Sequence, residues 1–340
     1  MFLKKRCKII ALCALILVGA CSDTSSDDSI IYEYKGTSRV VGYLPYYRFL
    51  ESNNIDYCKL THLNLAFANP DNEGDLVVPE SINDVMNHAR RANGDILIFI
   101  SLAGGSITAE QELNWSSFID DYVKTPILID KIVDYVLTHN LDGVDVDLEW
   151  DQVTTGYSNF ILTLHEALAK EGKLLSAALP SNTRFEHINN TAHTAFDFIN
   201  IMAYDATGPW NANSPGQHSS FEFAKTGVDF WSNTQGIDAD RLTLGVPFYG
   251  YDFSNPEVLS FTYGQMIEEG SNFADRDESG QKFYNGRPTI EKKVELAIQR
   301  TGGIMIWELG QDSFDEYSLL STIHNKFSTL GIRTTGLCGN

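Results

Sequence analysis

The stretch LDGVDVDLEW at 141–150 has the apolar character of a buried strand, yet it carries four carboxylates within eight residues. Val144, Val146 and Leu148 alternate with Asp145, Asp147 and Glu149. Successive side chains of a strand point to opposite faces, so three aliphatic groups share one face and three acids the other. Asp142 has the opposite parity and belongs with Gly143 to a turn, as a structural residue. Three like charges on one face are costly. Either this is an edge strand with a solvated face, or the acids are present for chemistry, and the flanking sequence has to decide.

Outward from that stretch, apolar β-rich runs recur: VVGYLPYY (40–47), THLNLAFANP (61–70), DILIFISLAGG (95–105), DGVDVDLEW (142–150), LLSAALP (174–180), FDFINIMAYD (196–205), RLTLGVPFYG (241–250) and GGIMIWELG (302–310). Between them lie PESINDVMNHARRANG, SFIDDYVKTPILIDKIVDYVLTHN, YSNFILTLHEALAKEG, FEFAKTGVDFWSNTQG and RPTIEKKVELAIQRTG, with apolar residues at helical spacing and mostly ending at Gly or Asn. Eight strands alternating with helices predict an α/β fold, a (β/α)8 barrel over 38–340. An open doubly wound sheet is the alternative, but no G-x-G-x-x-G follows the first strand. In a barrel, Val144, Val146 and Leu148 face the helices while Asp145, Asp147 and Glu149 point inward. A packed interior tolerates charge only when it is hydrogen-bonded or neutralised. Glu149 comes last, at the C-terminal mouth where barrel active sites lie. Residues i and i+2 are separated by roughly 7 Å along a strand, so neighbouring carboxyls can share a proton.

The chain has 340 residues and a formal net charge of −20, from 45 acidic and 25 basic residues. That balance argues against nucleic acid or an anionic membrane surface as a partner, since both need a basic patch. A neutral ligand is compatible, and 5 Trp with 15 Tyr suit a saccharide site, where flat rings stack on sugar faces. At the N-terminus, Lys4, Lys5, Arg6 and Lys8 precede an apolar run too short to span a bilayer, which reads as an export signal over 1–20. Val18, Gly19, Ala20 and Cys21 resemble the bacterial lipobox, with Cys21 as the lipidation site and 21–37 as a flexible tether. The expected location is thus a membrane-anchored lipoprotein on the outer membrane or cell surface. Cys58 and Cys338 are the remaining thiols of the folded part, and one disulfide or two free thiols are both open. No CxxC or His cluster suggests a metal, and no cofactor is expected.

With these marks in place, the chain resembles family 18 glycoside hydrolases, whose signature D-G-x-D-x-D-x-E is matched by DGVDVDLE at 142–149. SLAGG (101–105) is similar to the family's S-x-G-G, with Ala103 where the first Gly is usual; MAYD (202–205) matches M-x-Y-D, and Trp307 matches the Trp of the eighth strand. The loop GPWNANSPGQH (208–218) is similar to a G-x-W segment. The resemblance covers about 38–330. It implies a retaining hydrolase acting at N-acetylglucosamine, in which the sugar's own acetamido oxygen replaces the usual second carboxylate as nucleophile. Glu149 would be the acid and then the base, with Asp147 and Asp145 crowding it toward the protonated form. Asp147 would accept the acetamido N–H, and Tyr204 would donate to the acetamido oxygen. Trp307 would floor the site, Asp205 would assist orientation, and Met202, Tyr43 and Trp210 are further candidates for its wall. Trp150 either packs behind the strand or touches sugar.

The resemblance leaves three activities. A chitinase is favoured by Trp307 and the Tyr-Asp pair of MAYD. An endo-β-N-acetylglucosaminidase releasing N-glycans is the alternative, and a non-catalytic chitin-binding lectin is disfavoured by the intact Glu149. The region 251–301 must include a helix and leaves little room for the extra α+β subdomain of many processive relatives. A single catalytic domain, acting as a monomer on soluble oligosaccharides through a shallow cleft, is therefore expected.

Overall fold

Eight parallel strands close on themselves in the computed structural model, which describes residues 37–334 and Cys338. The export signal, Cys21 and the tether up to residue 36 lie outside the described residues. In chain order the barrel strands are β1 (Thr37–Pro45), β2 (His62–Pro70), β3 (Leu97–Ala103), β4 (Gly143–Asp147), β5 (Leu174–Pro180), β6 (Phe198–Met202), β7 (Leu242–Pro247) and β8 (Gly303–Trp307). Each pairs with its sequence neighbours, and β1 pairs with both β2 and β8, which closes the ring. All eight fall on the apolar runs of the sequence.

The helices are α1 (Ile82–Ala92), α2 (Ala109–Ile119), α3 (Thr125–Thr138), α4 (Tyr157–Lys170), α5 (Asn190–Ala195), α6 (Phe221–Asp229), α7 (Tyr263–Glu269), α8 (Arg287–Arg300) and α9 (Leu319–Thr329). The single helical run expected over 117–140 is divided: α2 ends at Ile119 and α3 restarts at Thr125. Pro126 fits that new first turn, where its missing N–H would have had no intrahelical partner. No α-helix follows β1. Two 3₁₀ segments, Tyr46–Asn54 and Tyr57–Lys59, fill the short connection. Between β7 and α8 stand α7 and a four-stranded antiparallel sheet made of Tyr249–Asp252, Leu259–Thr262, Glu278–Ser279 and Lys282–Phe283. Strands of two to four residues make this a rim on the barrel mouth rather than a sizeable insertion.

Apolar burial sorts by strand parity. Val144, Val146 and Leu148 are fully buried against the helix layer, together with Leu128, Ile132 and Phe160. The opposite parity fills the barrel interior with Tyr43, Phe99, Phe198 and Met305, and with the acids of β4. At the end of β3 the backbone turns through two left-handed residues, Ala103 (φ 72°) and Gly104 (φ 89°). A Cβ at Gly104 would lie 2.5 Å from the Phe67 ring, so glycine is needed there on two counts. Ala103 stands where the family pattern has Gly and carries about 1 kcal/mol of backbone strain.

Cys58 and Cys338 are joined in a disulfide spanning 280 residues of sequence. The bond ties the C-terminal tail to the 3₁₀ segment before β2. Chain-entropy arguments give about 5 kcal/mol for such a loop, with measured values usually smaller. Replacing both cysteines by serine is expected to lower the thermal midpoint by roughly 5 °C while leaving turnover at 25 °C unchanged. A midpoint that does not move in non-reducing calorimetry would show that the bond does not stabilise the barrel.

Candidate active site

Asp145 is fully buried at the centre of β4 and its carboxylate is saturated with donors. Oδ2 accepts from Tyr43 Oη and Ser101 Oγ, both at 2.7 Å; Oδ1 accepts from Ser176 Oγ at 2.6 Å and Asn200 Nδ2 at 3.2 Å. Asn200 Nδ2 also donates to Tyr43 Oη (3.0 Å), and its Oδ1 accepts from Thr243 Oγ1 (2.6 Å), which fixes the amide orientation. Four strands, β1, β3, β5 and β6, thus converge on one side chain of β4, with β7 bracing Asn200 behind them. Burial raises the Asp145 pKa above the usual carboxylate value, and the bonds from Ser176, Tyr43, Ser101 and Asn200 oppose that rise.

Asp147 lies one inward position further toward the mouth and is 4% exposed. Its Oδ1 is buried with no hydrogen-bond partner among the described residues. Burial raises its pKa well above the usual value, and the charges of Glu149 and Asp145 push the same way. Glu149, just beyond β4, is half-buried. Its Oε1 would be 2.6 Å from a Cβ at Gly105, so the glycine leaves the carboxyl its space. Gln152 fixes the backbone here: its Oε1 accepts from Glu149 N (3.1 Å) and its Nε2 donates to Gly104 O (3.1 Å). The Glu149 pKa is pushed up to about 7, first by burial and second by Asp205. The sequence reading assigned that crowding to Asp147 and Asp145. Burial and Asp205, which comes in from the end of β6, add to that crowding, and Asp147 and Glu149 raise each other.

From the end of β6, Tyr204 is 9% exposed, and its hydroxyl meets only the Met305 sulfur, at 3.9 Å, among the described residues. Burial and the surrounding carboxylates raise its pKa well above the usual phenol value, so it remains a donor. Asp205 adopts φ 64° and is partly exposed. Its Oδ1 accepts from Tyr249 Oη (2.5 Å) and Tyr251 Oη (3.0 Å), with His218 Nδ1 at 3.3 Å. Met202 and Trp307 are half-buried. Trp307 stacks on Phe67 with centroids 5.6 Å apart at 26°, and meets Tyr43 edge-on at 5.6 Å. Trp210 is 61% exposed over Gly208 and edge-on to Tyr251. Trp150 is exposed beside Phe185.

One sequence-derived assignment needs correction. Tyr43 was a candidate for the site wall, but it is fully buried, and its hydroxyl is committed to Asp145 beneath the site. It therefore supports Asp145 from beneath the site. The reading from sequence placed Ser101 in the S-x-G-G match without giving it a role, and it missed Ser176, Asn200, Gln152, Phe67 and the Tyr249–Tyr251 pair. The four polar groups are uncharged single residues inside or beside apolar runs. The signal that could have found Ser101 and Ser176 is register, since both lie directly opposite Asp145 on neighbouring strands.

The family model "Glycosyl hydrolases family 18" matches residues 39–312. Among solved structures, the chain is similar to the family 18 chitinase ChiB from the chitin utilization locus of Flavobacterium johnsoniae. The two are 58% identical with a TM-score of 0.88, over 90% of this chain and 98% of that one. A chitinase from Bacteroides thetaiotaomicron is similar at 25% identity and a TM-score of 0.74, over 88% of this chain and 99% of that one. Among curated proteins, putative chitinase 1 of Margaritifera margaritifera is 24% identical, over 77% of this chain and 68% of its own length.

An acid held near pH 7 at the mouth can donate a proton and then take one back at neutral pH. Its pKa is raised, so the protonated form is lost as pH rises through about 7. The kcat/KM profile is accordingly expected to fall along an alkaline limb centred near pH 7. Asp205→Asn removes a neighbouring negative charge and should move that limb to lower pH. A limb that stays in place in the variant would refute the assigned cause.

Proposed function

The chain belongs to glycosyl hydrolase family 18 and is a chitinase-like glycoside hydrolase, and we propose that it cleaves β-1,4 linkages at N-acetylglucosamine in chitin and chitooligosaccharides by substrate-assisted catalysis. One observation carries this reading: beneath Glu149 the site holds a buried acceptor, Asp147 Oδ1, with no partner among the described residues, and a buried donor, Tyr204 Oη, with only a weak one there. An acetamido group offers the complement, an N–H for Asp147 and a carbonyl oxygen for Tyr204. Even when protonated, Asp147 keeps acceptor capacity for that N–H.

In the first step Glu149 gives its proton to the glycosidic oxygen as the bond to the anomeric carbon breaks. The acetamido oxygen attacks that carbon from the opposite face, forming an oxazolinium ion. The positive charge that develops on the acetamido nitrogen and carbon is favoured by Asp147, and the Tyr204 hydroxyl orients the oxygen. Glu149, now a carboxylate, removes a proton from water as the water attacks the anomeric carbon, which reopens the ring with net retention. Trp307, backed by Phe67, supplies the apolar floor for the reacting sugar. The small rim between β7 and α8 supports a shallow cleft and soluble oligosaccharides as substrates.

Replacing Glu149 by glutamine keeps shape and removes the transferable proton. The expected loss is at least about 100-fold in kcat with oligosaccharide binding retained. Mass spectrometry of products from chitooligosaccharides and from a high-mannose glycoprotein, run in parallel, should show cleavage of the first substrate alone. Near wild-type turnover in the variant would sink the role of Glu149, glycan release would favour the endo-β-N-acetylglucosaminidase alternative, and binding without products would mean a lectin.

We also propose that the protein is an exported lipoprotein held at a membrane through Cys21, supported by the basic, apolar and lipobox pattern of 1–21. Cys21→Ala should move the protein from the membrane fraction to the soluble fraction or block its processing. A wild-type protein found wholly soluble, with a free Cys21 thiol, would overturn the anchor.

A further inference from the structure

Lys293, on α8, is fully buried. Its ammonium uses three acceptors: Ser219 O at 2.7 Å, Ser219 Oγ at 2.7 Å and Asn285 Oδ1 at 2.6 Å. Burial alone drives its pKa down to about 7, with Asp277 acting against that fall. A buried ammonium with neutral partners is expensive, and a packed apolar side chain would serve stability as well or better. What the ammonium fixes is therefore informative.

An ammonium donates and never accepts, so each of its bonds orients the partner. Ser219 Oγ accepts from Lys293, and its own proton is left to donate to Ala203 O, at 2.6 Å. Asn285 Oδ1 accepts from Lys293, so its Nδ2 faces Ser219 O, at 3.0 Å. The next residue back along the chain, His218, is also fully buried. Its Nε2 lies 3.2 Å from Tyr249 O and its backbone O accepts from Ala206 N at 2.9 Å. His218 and Ser219 together form a strut. On one side it bonds to 203–206, which carries Tyr204 and Asp205; on the other it bonds to the rim and to α8.

We propose that Lys293, acting through Ser219, is a positioning residue for catalysis that holds Ala203 O and so aims the Tyr204 hydroxyl at the substrate's acetamido oxygen. This rests on the role given to Tyr204 above. A donor that holds the acetamido oxygen in line with the anomeric carbon acts on kcat through the orientation of attack, and a sub-ångström displacement weakens it. A purely structural role would change stability and leave kcat per folded molecule unchanged.

The test is a double-mutant cycle of Ser219→Ala with Tyr204→Phe in the full-length protein, on a soluble chitooligosaccharide. Ser219→Ala removes the bond to Ala203 O and keeps the Lys293 bond to Ser219 O. It is expected to lower kcat at least about fivefold with KM changed less than about twofold. In the Tyr204→Phe background the same substitution should have no further effect on kcat. Lys293→Met should repeat the kcat loss and its dependence on Tyr204, whatever it does to the thermal midpoint. If Tyr204→Phe alone leaves kcat unchanged, the reading of Tyr204 and this inference fall together. If Tyr204→Phe lowers kcat while Ser219→Ala has no effect, or the two effects simply multiply, only the positioning role falls.

Discussion

A single buried carboxylate with four donors sets the terms for this site. Asp145 cannot lie charged inside a packed barrel without them, since desolvating an unpaired carboxylate costs several kcal/mol even after relaxation. Each donor comes from a different strand, so the bonds form together only when the barrel has closed. The network favours closure in correct register. A one-residue slip of β3 or β5 would turn Ser101 or Ser176 toward the helices and leave the carboxylate short of a donor. The placement of Asp147 and Glu149 above Asp145 thus depends on a contact made wholly within the protein.

The three acids of β4 alternate with aliphatic residues in the same way, yet they do different things because their surroundings differ. Asp145 is saturated by protein donors. Asp147 keeps one buried oxygen without a partner among the described residues, and its protonation is favoured by burial and by an acid on either side. Glu149 is half-open at the mouth and is held near the pH at which an acid can act in both directions. Burying the second and third charges destabilises the fold, a cost that a site for acid–base chemistry retains because the raised pKa values come from the same desolvation.

The barrel and the acids were legible in the sequence for one reason: strand parity is strictly local. Val144, Val146 and Leu148 had to face one way and the acids the other, and the eight apolar runs each produced a strand. Tyr43 shows where that reasoning stops. Parity placed it inward, correctly, but its depth below the mouth depends on the stagger of β1 against β4, which no local pattern reports. Ser101, Ser176 and Asn200 were hidden for the same reason. Each is a small polar residue in an apolar run, and its meaning comes from a partner between 31 and 55 residues away. The helices were less legible than the strands. The break between α2 and α3 and the 3₁₀ path after β1 depend on how short connections pack, and hydrophobic spacing does not encode that.

The mouth is also supported differently on its two sides. On the β4 side the support is local: Gln152, three residues beyond Glu149, ties its backbone to Gly104. On the β6 side it is remote, running from α8 and the rim through Ser219 and His218 to the strand end. A general acid needs a fixed backbone, because its carboxyl must reach one glycosidic oxygen. Tyr204 and Asp205 follow a short strand and enter a long loop, where Asp205 already takes a left-handed conformation. The loop's own bonds, from Thr207 to Ser214 and from His218 and Ser219 back to 203–206, are anchored from outside by Lys293 and Tyr249. The rim contributes by giving this loop something to bond to.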